Sequence, residues 1–418
     1  MRARFLAWIL GVVALLATPC WPRAALGAYP APARVSVLTM GPGEHPFTRF
    51  GHNAILLEWD GGGPLPNLVF NFGTFAFDGM QGVKDFMGGR FRYWLSVTTL
   101  ENTRRAYAAE HRSLTAQELE LSAAERAALY RRLSDNAKPE HKYYDYDYYR
   151  DNCSTRVRDA IDQLLGGELK REVTGAGRLT FRQHTLRLVG DTPWLYFGLD
   201  AALGTPTDRP TTRWEELFLP QELHDALARA KRHVAGQSLP LVRHETQLLS
   251  AAPWPLPASP PERRGTFAAW GALLGSLLAA LGFAASRSRA ARAVFGSLTA
   301  LFGTALGALG FALAAFWASK HWAAHDNPSL LACPPWALAL AVLGGAFALS
   351  RGRSPTLLWV LGASLLASSL LTLLALAGLL GGDREALREG LLFTPVWAGW
   401  LAGAWLAQRH LPRGALKP

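Results

Sequence analysis

The sequence contains little cysteine, with three such residues in 418. So small a number excludes the disulfide framework that stabilises many small exported domains. Cys20 lies in the first apolar segment and Cys333 in the apolar C-terminal half, which leaves Cys153 alone in the region between them. A lone cysteine there is either a buried, inert side chain or a free thiol with a chemical role.

Charge is also scarce, since 18% of the residues are charged while 50% are hydrophobic. The formal net charge of +11 is unevenly placed. From Thr266 onward there are 11 Lys and Arg against four Asp and Glu, and residues 1–28 add three Arg without an acidic residue. Residues 29–265 are therefore close to +1. This excludes the basic surface of a nucleic-acid-binding protein, so we expect no nucleic-acid partner.

The first 28 residues have the layout of an export signal. Two arginines precede an apolar run at 5–17, and small residues follow at 25–28. This order is typical of a secretory signal peptide. An uncleaved N-terminal anchor is the alternative interpretation.

Long apolar segments begin at Thr266 and predict a membrane domain. Most of them approach the roughly 20 residues that cross a hydrocarbon core. The last one is short and contains Pro395. We predict five membrane-spanning helices, at about 266–285, 293–318, 332–349, 357–380 and 391–407.

Basic residues are concentrated in alternate loops between these segments. They are Arg287, Arg289 and Arg292, then Arg351 and Arg353, then Arg409, Arg413 and Lys417 in the tail. The positive-inside rule places such loops in the cytoplasm. With an odd number of spans, the region before them lies outside, in agreement with the signal peptide. We therefore predict a multi-pass protein of the bacterial inner membrane, with its N-terminal domain in the periplasm.

The region between the signal and the membrane segments has the pattern of an α+β domain. Strand-like segments occur at 33–43, 52–60, 68–77, 91–100 and 142–149, and helical ones at 115–137 and from 153 to a Gly-Gly pair at 166–167. Ser122 and Glu125 have the spacing of a capping box. We predict an exported α+β domain at 29–238, a Pro-rich linker at 239–265 and a multi-span domain at 266–418.

Cys153 lies at the start of a predicted helix, in "YYRDNCSTRVRDAIDQLLGG". Asp151 or Asn152 is a suitable N-cap for this helix. A helix N-terminus favours a thiolate over a thiol, and its free N–H groups can stabilise an oxyanion. The residue types therefore favour a thiol nucleophile, and a buried structural cysteine is the alternative.

A thiol nucleophile needs a base, and His52 is the best-placed histidine. It opens the strand-like segment "HNAILLEWD" directly after a glycine. Asn71, on the following segment, is the candidate that would orient the His52 ring, although Asn53 and Glu58 compete for that role. We predict Cys153 as nucleophile, His52 as base and Asn71 as the third residue of the site.

Four further residues are candidates for contact with a substrate. Tyr148 and Asn152 lie next to Cys153 in sequence, and His321 and His325 lie four residues apart between the second and third predicted spans. Anchoring at the membrane interface is the alternative for the two histidines. The histidines and cysteines do not have zinc-site spacing, and we expect neither a metal nor a cofactor.

Four stretches of the sequence resemble a known family. They are "RFGHNAILLEWDG", "VFNFGTFAFDG", "YYDYDYYRDNCSTRVRDAID" and "TPWLYFGLDAALGTPTDRPTTRWEELFLPQEL". Over residues 33–235 they resemble the Lnb N-terminal periplasmic domain, and the later "HWAAHDNPSLL" is similar to the membrane half of many members. The resemblance implies an Lnb-type acyltransferase, which moves an acyl chain from the glyceryl group of a lipoprotein to the amine of its N-terminal cysteine.

The order of histidine before cysteine also resembles the permuted papain-like fold of lecithin:retinol acyltransferase and NlpC-type proteins. By that analogy His52 is the base and Cys153 the nucleophile, and the partners are the membrane and a lipid or lipoprotein substrate. Two other functions stay open: a non-catalytic envelope assembly or binding protein, and an NlpC-like cell-wall peptide hydrolase.

Overall fold

The structure is a computed structural model. It describes residues 30–60, 66–76, 78–234, 236–252, 254, 256–349, 355–376 and 387–409. The predicted signal segment lies outside the described residues, as do four of the basic residues used for the orientation, Arg351, Arg353, Arg413 and Lys417.

A seven-stranded antiparallel sheet forms the centre of the N-terminal half, in the order β11-β5-β1-β2-β3-β4-β6. Its strands are β1 (Arg34–Met40), β2 (His52–Glu58), β3 (Leu68–Thr74), β4 (Arg92–Thr99), β5 (Leu114–Leu119), β6 (Tyr143–Asp145) and β11 (Val242–Leu249). Two small sheets pair β7 (Ala176–Thr180) with β8 (Pro210–Thr212) and β9 (Lys231–Val234) with β10 (Gln237–Pro240).

Nine helices are described in the same half. They are α1 (Gly79–Met87), α2 (Leu100–Ala109), α3 (Ala123–Asn136), α4 (Cys153–Leu164), α5 (Glu168–Glu172), α6 (Phe181–Leu188), α7 (Pro193–Ala202), α8 (Arg213–Glu216) and α9 (Pro220–Arg229). Together with the antiparallel sheet they confirm the predicted α+β class.

The strands of the sheet bury apolar side chains on both faces, because successive residues of a strand point in opposite directions. Val37 and Ile55 belong to the larger core, which also contains Val157 and Ile161 of α4. Leu38 lies in a second core on the opposite face. The helix that begins at Cys153 therefore packs flat against the sheet.

The helix predicted over 115–137 is wrong in its first part. Residues 114–119 form β5, which pairs with β1 and β11, and the helix begins only at Ala123. The capping box is confirmed, since Ser122 and Glu125 exchange hydrogen bonds between side chain and backbone. The spacing of the apolar residues in this segment fits both the 3.6-residue period of a helix and the two-residue alternation of a strand. The segment forms a strand because it pairs with two strands that are distant in the sequence.

Residues 242–249, which composition assigns to the start of a linker, form the edge strand β11. The strand pairs with β5 through a register that runs from Val242 to Leu249. Residues 242–249 contain no proline, which is compatible with a sheet ladder, whereas the prolines of the predicted linker lie at 240 and from 253 onward.

The C-terminal half is helical. Its helices are α10 (Arg264–Ala285), α11 (Arg289–Trp317), α12 (Ser329–Ala332), α13 (Ala339–Leu349), α14 (Pro355–Leu376) and α15 (Leu387–Arg409). Four stretches are long and apolar enough to cross a membrane: Arg264–Ala285, Arg289–Trp317, Ser329–Leu349 and Gly390–Ala407.

These four stretches correspond to the first, second, third and fifth predicted spans and fit a multi-pass membrane protein. The predicted span at 357–380 coincides with α14. Among the described side chains its apolar stretch, Trp359–Ser368, is shorter than a membrane crossing. This fourth span, and with it the total of five, stays a prediction.

Small residues let the apolar helices approach closely. A Cβ atom on Gly282 of α10 would collide with the backbone of Gly403 of α15, and one on Gly399 would collide with the backbone of Gly275, two turns away along α10. Close backbone contact through glycine is a common way for helices to associate in lipid, where burial of apolar surface gives little driving force.

Candidate active site

The N-terminal tip of α4 presents Cys153 to the sheet. Asn152 is the N-cap: its Oδ1 accepts a hydrogen bond from the Thr155 backbone N–H at 2.9 Å, and the Thr155 hydroxyl accepts one from the Asn152 N–H at 2.8 Å. Of the two predicted caps, Asn152 rather than Asp151 has this role. The first helical residue is therefore Cys153, in the turn where the helix N–H groups are unpaired.

His52 and Asn71 reach the same point from adjacent strands. His52 is the first residue of β2 and Asn71 lies in the middle of β3. The His52 Nε2 atom lies 2.5 Å from Asn71 Oδ1, and the Cys153 thiol is within hydrogen-bond reach of the His52 ring. Because Asn71 Oδ1 accepts the Nε2 proton, the second ring nitrogen, Nδ1, is the one available to the sulfur.

The competing candidates for orienting His52 have other partners. The Asn53 amide donates to the Leu38 carbonyl and the Thr39 hydroxyl on the neighbouring strand. Glu58 lies 3.6 Å from the Arg34 guanidinium. The residue that contacts the His52 ring is Asn71.

The electrostatics of the site favour a thiolate and an imidazolium. Burial opposes ionisation of Cys153, but the neighbouring His52, its hydrogen bond and the backbone N–H groups of Asn53 and Ser154 lower the pKa of the thiol below its ordinary value. Burial likewise opposes the charge on His52, yet Cys153 and the hydrogen bond that the ring donates to Asn71 raise the pKa of the imidazole. An ion pair of this kind is the reactive form of a cysteine nucleophile.

Gly73 leaves the space above the pair open. Its φ of +91° is a left-handed value that glycine adopts without strain. A Cβ atom there would lie 3.6 Å from both Cys153 Cβ and His52 Cε1. A side chain at this position would therefore stand directly over the two reactive groups.

Tyrosine side chains line one side of the site. The Tyr146 ring lies near Gly73 and stacks on Tyr93 at 4.0 Å between centroids. Burial, and then the charge of Cys153, raise the pKa of Tyr93, Tyr144 and Tyr146. These phenols stay neutral and surround the sulfur with a largely apolar wall.

The two predicted substrate contacts next to Cys153 have different surroundings. The Asn152 amide donates to the carbonyls of Tyr148 and Phe218, at 2.8 and 2.9 Å, so this side chain holds the turn and the cap together. The Tyr148 ring packs edge-on against Phe50 and Phe218. Its buried hydroxyl has no hydrogen-bond partner among the described residues.

A buried ionic group supports the tip of α4 from behind. The Ser154 hydroxyl donates to the Leu217 carbonyl at 2.7 Å, next to Glu216. The Glu216 carboxylate accepts from His184 Nε2 at 2.8 Å and from the backbone N–H groups of Arg178 and Leu179. Despite burial, these three hydrogen bonds lower the pKa of Glu216 to about 2. Sequence reasoning missed this support, and its one signal was an acidic pair in the apolar stretch "WEELFLP".

The two predicted membrane-side histidines bind backbone carbonyls. His321 Nε2 lies 2.6 Å from the carbonyl of Phe86 in the N-terminal half, and His325 Nε2 lies 2.9 Å from that of Ser319 in its own loop. His321 therefore docks the loop between α11 and α12 onto the exported region, whereas His325 shapes the loop itself.

Trp322 of the same loop contacts the turn that precedes Cys153. Its indole N–H donates to Asp147 Oδ2 at 2.5 Å. The Asp147 Oδ1 atom accepts the backbone N–H groups of Tyr149 and Arg150, and the Arg150 guanidinium lies 3.5 Å from the centre of the Trp322 ring. The membrane half thus touches the turn before Cys153 through a tryptophan that was not among the predicted site residues.

Residues 22–189 match the family model of the Lnb N-terminal periplasmic domain. No curated protein and no solved structure matches the chain. The match includes Cys153, His52 and Asn71 and confirms the resemblance that the sequence motifs carry, although it ends before the last of the four motifs. The N-terminal half of the chain is therefore similar to the Lnb N-terminal periplasmic domain, and the four candidate spans that follow fit a multi-pass membrane protein.

Proposed function

We propose that the protein is a thiol acyltransferase of the bacterial inner membrane, which acts from the periplasmic side on a lipid or lipoprotein ester. The observation that carries the proposal is the geometry at the tip of α4. There a cysteine with a lowered pKa faces the ring of His52, and that ring is fixed from its far side by Asn71.

The chemistry follows from these positions. The Cys153 thiolate attacks the ester carbonyl, and the backbone N–H groups at the helix tip stabilise the resulting oxyanion. As the C–O bond breaks, protonated His52 gives its proton to the leaving alcohol, which leaves a Cys153 thioester. An amine then attacks the thioester, His52 accepts the amine proton, and an amide and the thiolate are released.

The arrangement agrees with a permuted papain-like fold, in which a strand histidine precedes a cysteine at a helix start. Here His52 opens β2 and Cys153 opens α4, and the sheet brings them together over a separation of about a hundred residues. An Asn that accepts from the far nitrogen of the imidazole fixes the ring as an orienting residue does in a catalytic triad.

The contacts between the membrane half and the N-terminal half favour a substrate that is embedded in lipid. Its outer loop contacts both α1, through His321, and the turn before Cys153, through Trp322. Arg287, Arg289 and Arg292 lie at the opposite ends of α10 and α11, as expected for a cytoplasmic loop. The site is therefore held close to the surface from which an ester-linked acyl chain would be presented.

The test is acyl transfer by the full-length protein in proteoliposomes that contain a diacylated lipopeptide with a free amino terminus. We expect an acyl adduct on Cys153, detected by mass spectrometry and removed by neutral hydroxylamine, and an N-acylated product. Cys153→Ala should abolish both, while the matched control Cys333→Ala should retain both.

Full activity of Cys153→Ala would disprove the thiol mechanism. Release of peptides from cell-wall fragments by the wild type, without transfer to an amine, would instead support the hydrolase, since water can replace the amine in the second step. Complementation of a deletion strain by the Cys153→Ala variant would indicate the non-catalytic assembly function.

A further inference from the structure

Helix α1 exposes apolar side chains on a surface of the exported region. Met80, Val83 and Phe86 are 70%, 40% and 41% exposed. Their spacing places them within about a third of the helix circumference, at 100° per residue, while Gln81 and Asp85 lie on the opposite side and Lys84 lies at the edge of the apolar side. A cluster of large exposed apolar residues in a folded domain marks an interaction surface.

The C-terminal end of α1 abuts the outer end of the second span. The Phe86 ring packs edge-on against Phe316, at 6.1 Å between centroids, and Phe316 belongs to the last turn of α11. Just beyond, the Lys320 backbone N–H donates to the carbonyl of Gly88 at 3.4 Å. The apolar side of α1 is therefore continuous with a membrane-spanning helix at the level where that helix leaves the membrane.

The first turn of α7 has the same relation to two other spans. Trp194 is 68% exposed. Three residues later, on the same side of the helix, Phe197 contacts Phe267 of α10 and Phe393 of α15, at 5.9 and 6.2 Å between ring centroids. Tryptophan is enriched at the level of the lipid head groups, where an amphipathic ring has both an apolar and a wet neighbour.

We infer that α1 and the first turn of α7 rest in the periplasm-side leaflet of the bilayer, with Met80, Val83 and Trp194 among the lipid chains near the head groups. The occupant is lipid rather than a second protein because both surfaces continue the lipid-facing surface of the spans. Lys84, at the edge of the apolar side of α1, and Lys320, just beyond its C-terminal end, are exposed and are placed to meet anionic head groups.

The contact sets the position of the active site relative to the membrane. Strand β3, which carries Asn71 and Gly73, ends at Thr74, and α1 begins at Gly79. A helix that lies in the leaflet thus holds the Cys153 site within a short segment of the lipid. This consequence rests on the proposed function, whereas the lipid contact itself does not require catalysis.

The test measures lipid immersion in the full-length protein. Nitroxide labels are placed at Met80→Cys, Val83→Cys and Trp194→Cys, and the protein is reconstituted in nanodiscs of phosphatidylethanolamine and phosphatidylglycerol. Power-saturation EPR then compares collisions with apolar O2 and with a water-soluble nickel chelate. The native thiols are removed by Cys20→Ala, Cys153→Ala and Cys333→Ala, so the result is independent of activity.

The matched control is Ser238→Cys, on the exposed hairpin of β9 and β10. Ser238 pairs with His233, which binds Glu168 beyond the C-terminal end of α4, opposite the Cys153 tip. We expect the ratio of O2 to nickel collisions to be several-fold higher at the three test sites than at Ser238.

Equal ratios at all four positions would overturn the inference, since the two surfaces would then face water. Low accessibility to both reagents would overturn it as well, because the surfaces would then be covered by protein. If labels at the test sites are immersed in lipid but acyl transfer is never observed, the lipid contact stands and the proposed function fails.

Discussion

Two buried cysteines of this protein have opposite surroundings. Cys153 is 7% exposed and Cys333 is 1% exposed, so burial hardly distinguishes them. Cys153 begins a helix and faces an imidazole, whereas Cys333 ends the short helix α12, where its N–H bonds the Ser329 carbonyl at 2.8 Å. A helix N-terminus favours an anion and a helix C-terminus opposes one. Position in the secondary structure, rather than depth, distinguishes the proposed nucleophile Cys153 from Cys333.

The largest expected effect is on the alkylation of the two thiols by iodoacetamide at neutral pH. Because the pKa of Cys153 is lowered, its thiolate persists below the pH at which an ordinary thiol loses it, and the half-maximal rate lies at lower pH. His52→Ala removes the main favourable charge and should therefore raise the pKa of Cys153 and this midpoint. For each pKa unit of that rise, the alkylation rate at neutral pH should fall about tenfold.

Cys333 should stay unmodified in the folded protein under the same conditions. Mass spectrometry of labelled peptides measures both sites in one sample. Equal labelling of Cys153 and Cys333, or an unchanged rate in His52→Ala, would contradict the proposed contrast between the two helix ends.

A smaller effect is expected from Gly73→Ala, compared with Gly175→Ala. Both glycines have left-handed φ values, +91° and +97°, but a Cβ on Gly175 would meet no neighbour within 4 Å. Each substitution should cost about 1–2 kcal/mol in the free energy of unfolding. Only Gly73→Ala should also slow alkylation of Cys153, because its methyl group stands over the sulfur and the imidazole.

Thermal unfolding and alkylation rates, measured on both variants, separate strain from obstruction. The same loss of Cys153 reactivity in Gly175→Ala would show that the effect comes from destabilisation of the fold and not from the space above the site.

The smallest effect on Cys153 is expected from Gly204→Ala. A Cβ on Gly204 would collide with the carbonyl of His325, whereas one on Gly198 would meet no neighbour within 4 Å. The collision should displace the docked loop and lower the free energy of unfolding by about 1–3 kcal/mol. We expect faster amide hydrogen exchange over 319–327 and little change in the alkylation of Cys153. Gly198→Ala, at an exposed position of α7, should leave both unaltered.

If Gly204→Ala lowered the reactivity of Cys153 as much as His52→Ala does, the explanation of the low Cys153 pKa by His52 and the helix N-terminus would be wrong. The docked membrane loop, rather than the imidazole and the helix tip, would then control the sulfur.

Much of the site was predictable because its signals are local. The cap of α4 and the capping box of α3 each involve residues three apart, and the first four strands keep a short-range apolar pattern. The family match, over 22–189, agrees with motifs that are visible in the sequence. Asn71 was selected from three candidates by its place on the next strand, and its contact with His52 has the expected geometry.

Other features depend on partners that are distant in the chain. Strand β5 was predicted as part of a helix because its pairing with β1 and β11 leaves no mark within the segment. The contact of Trp322 with Asp147 spans 175 positions. The apolar side of α1 points to a lipid contact only because Phe86 packs against Phe316, a residue 230 positions later in the sequence.

The sequence by itself determined the helix that begins at Cys153, the strand that begins at His52 and the apolar segments that follow. Helix caps and apolar periodicities depend on residues that are close in the sequence, so they can be recognised from the sequence alone. Only the tertiary structure decided that the imidazole reaches the sulfur, that the Leu217 carbonyl beside Glu216 binds the tip of α4 from behind and that a membrane-side loop contacts the turn before Cys153. Those contacts arise when distant segments pack together, and no local pattern encodes their distance.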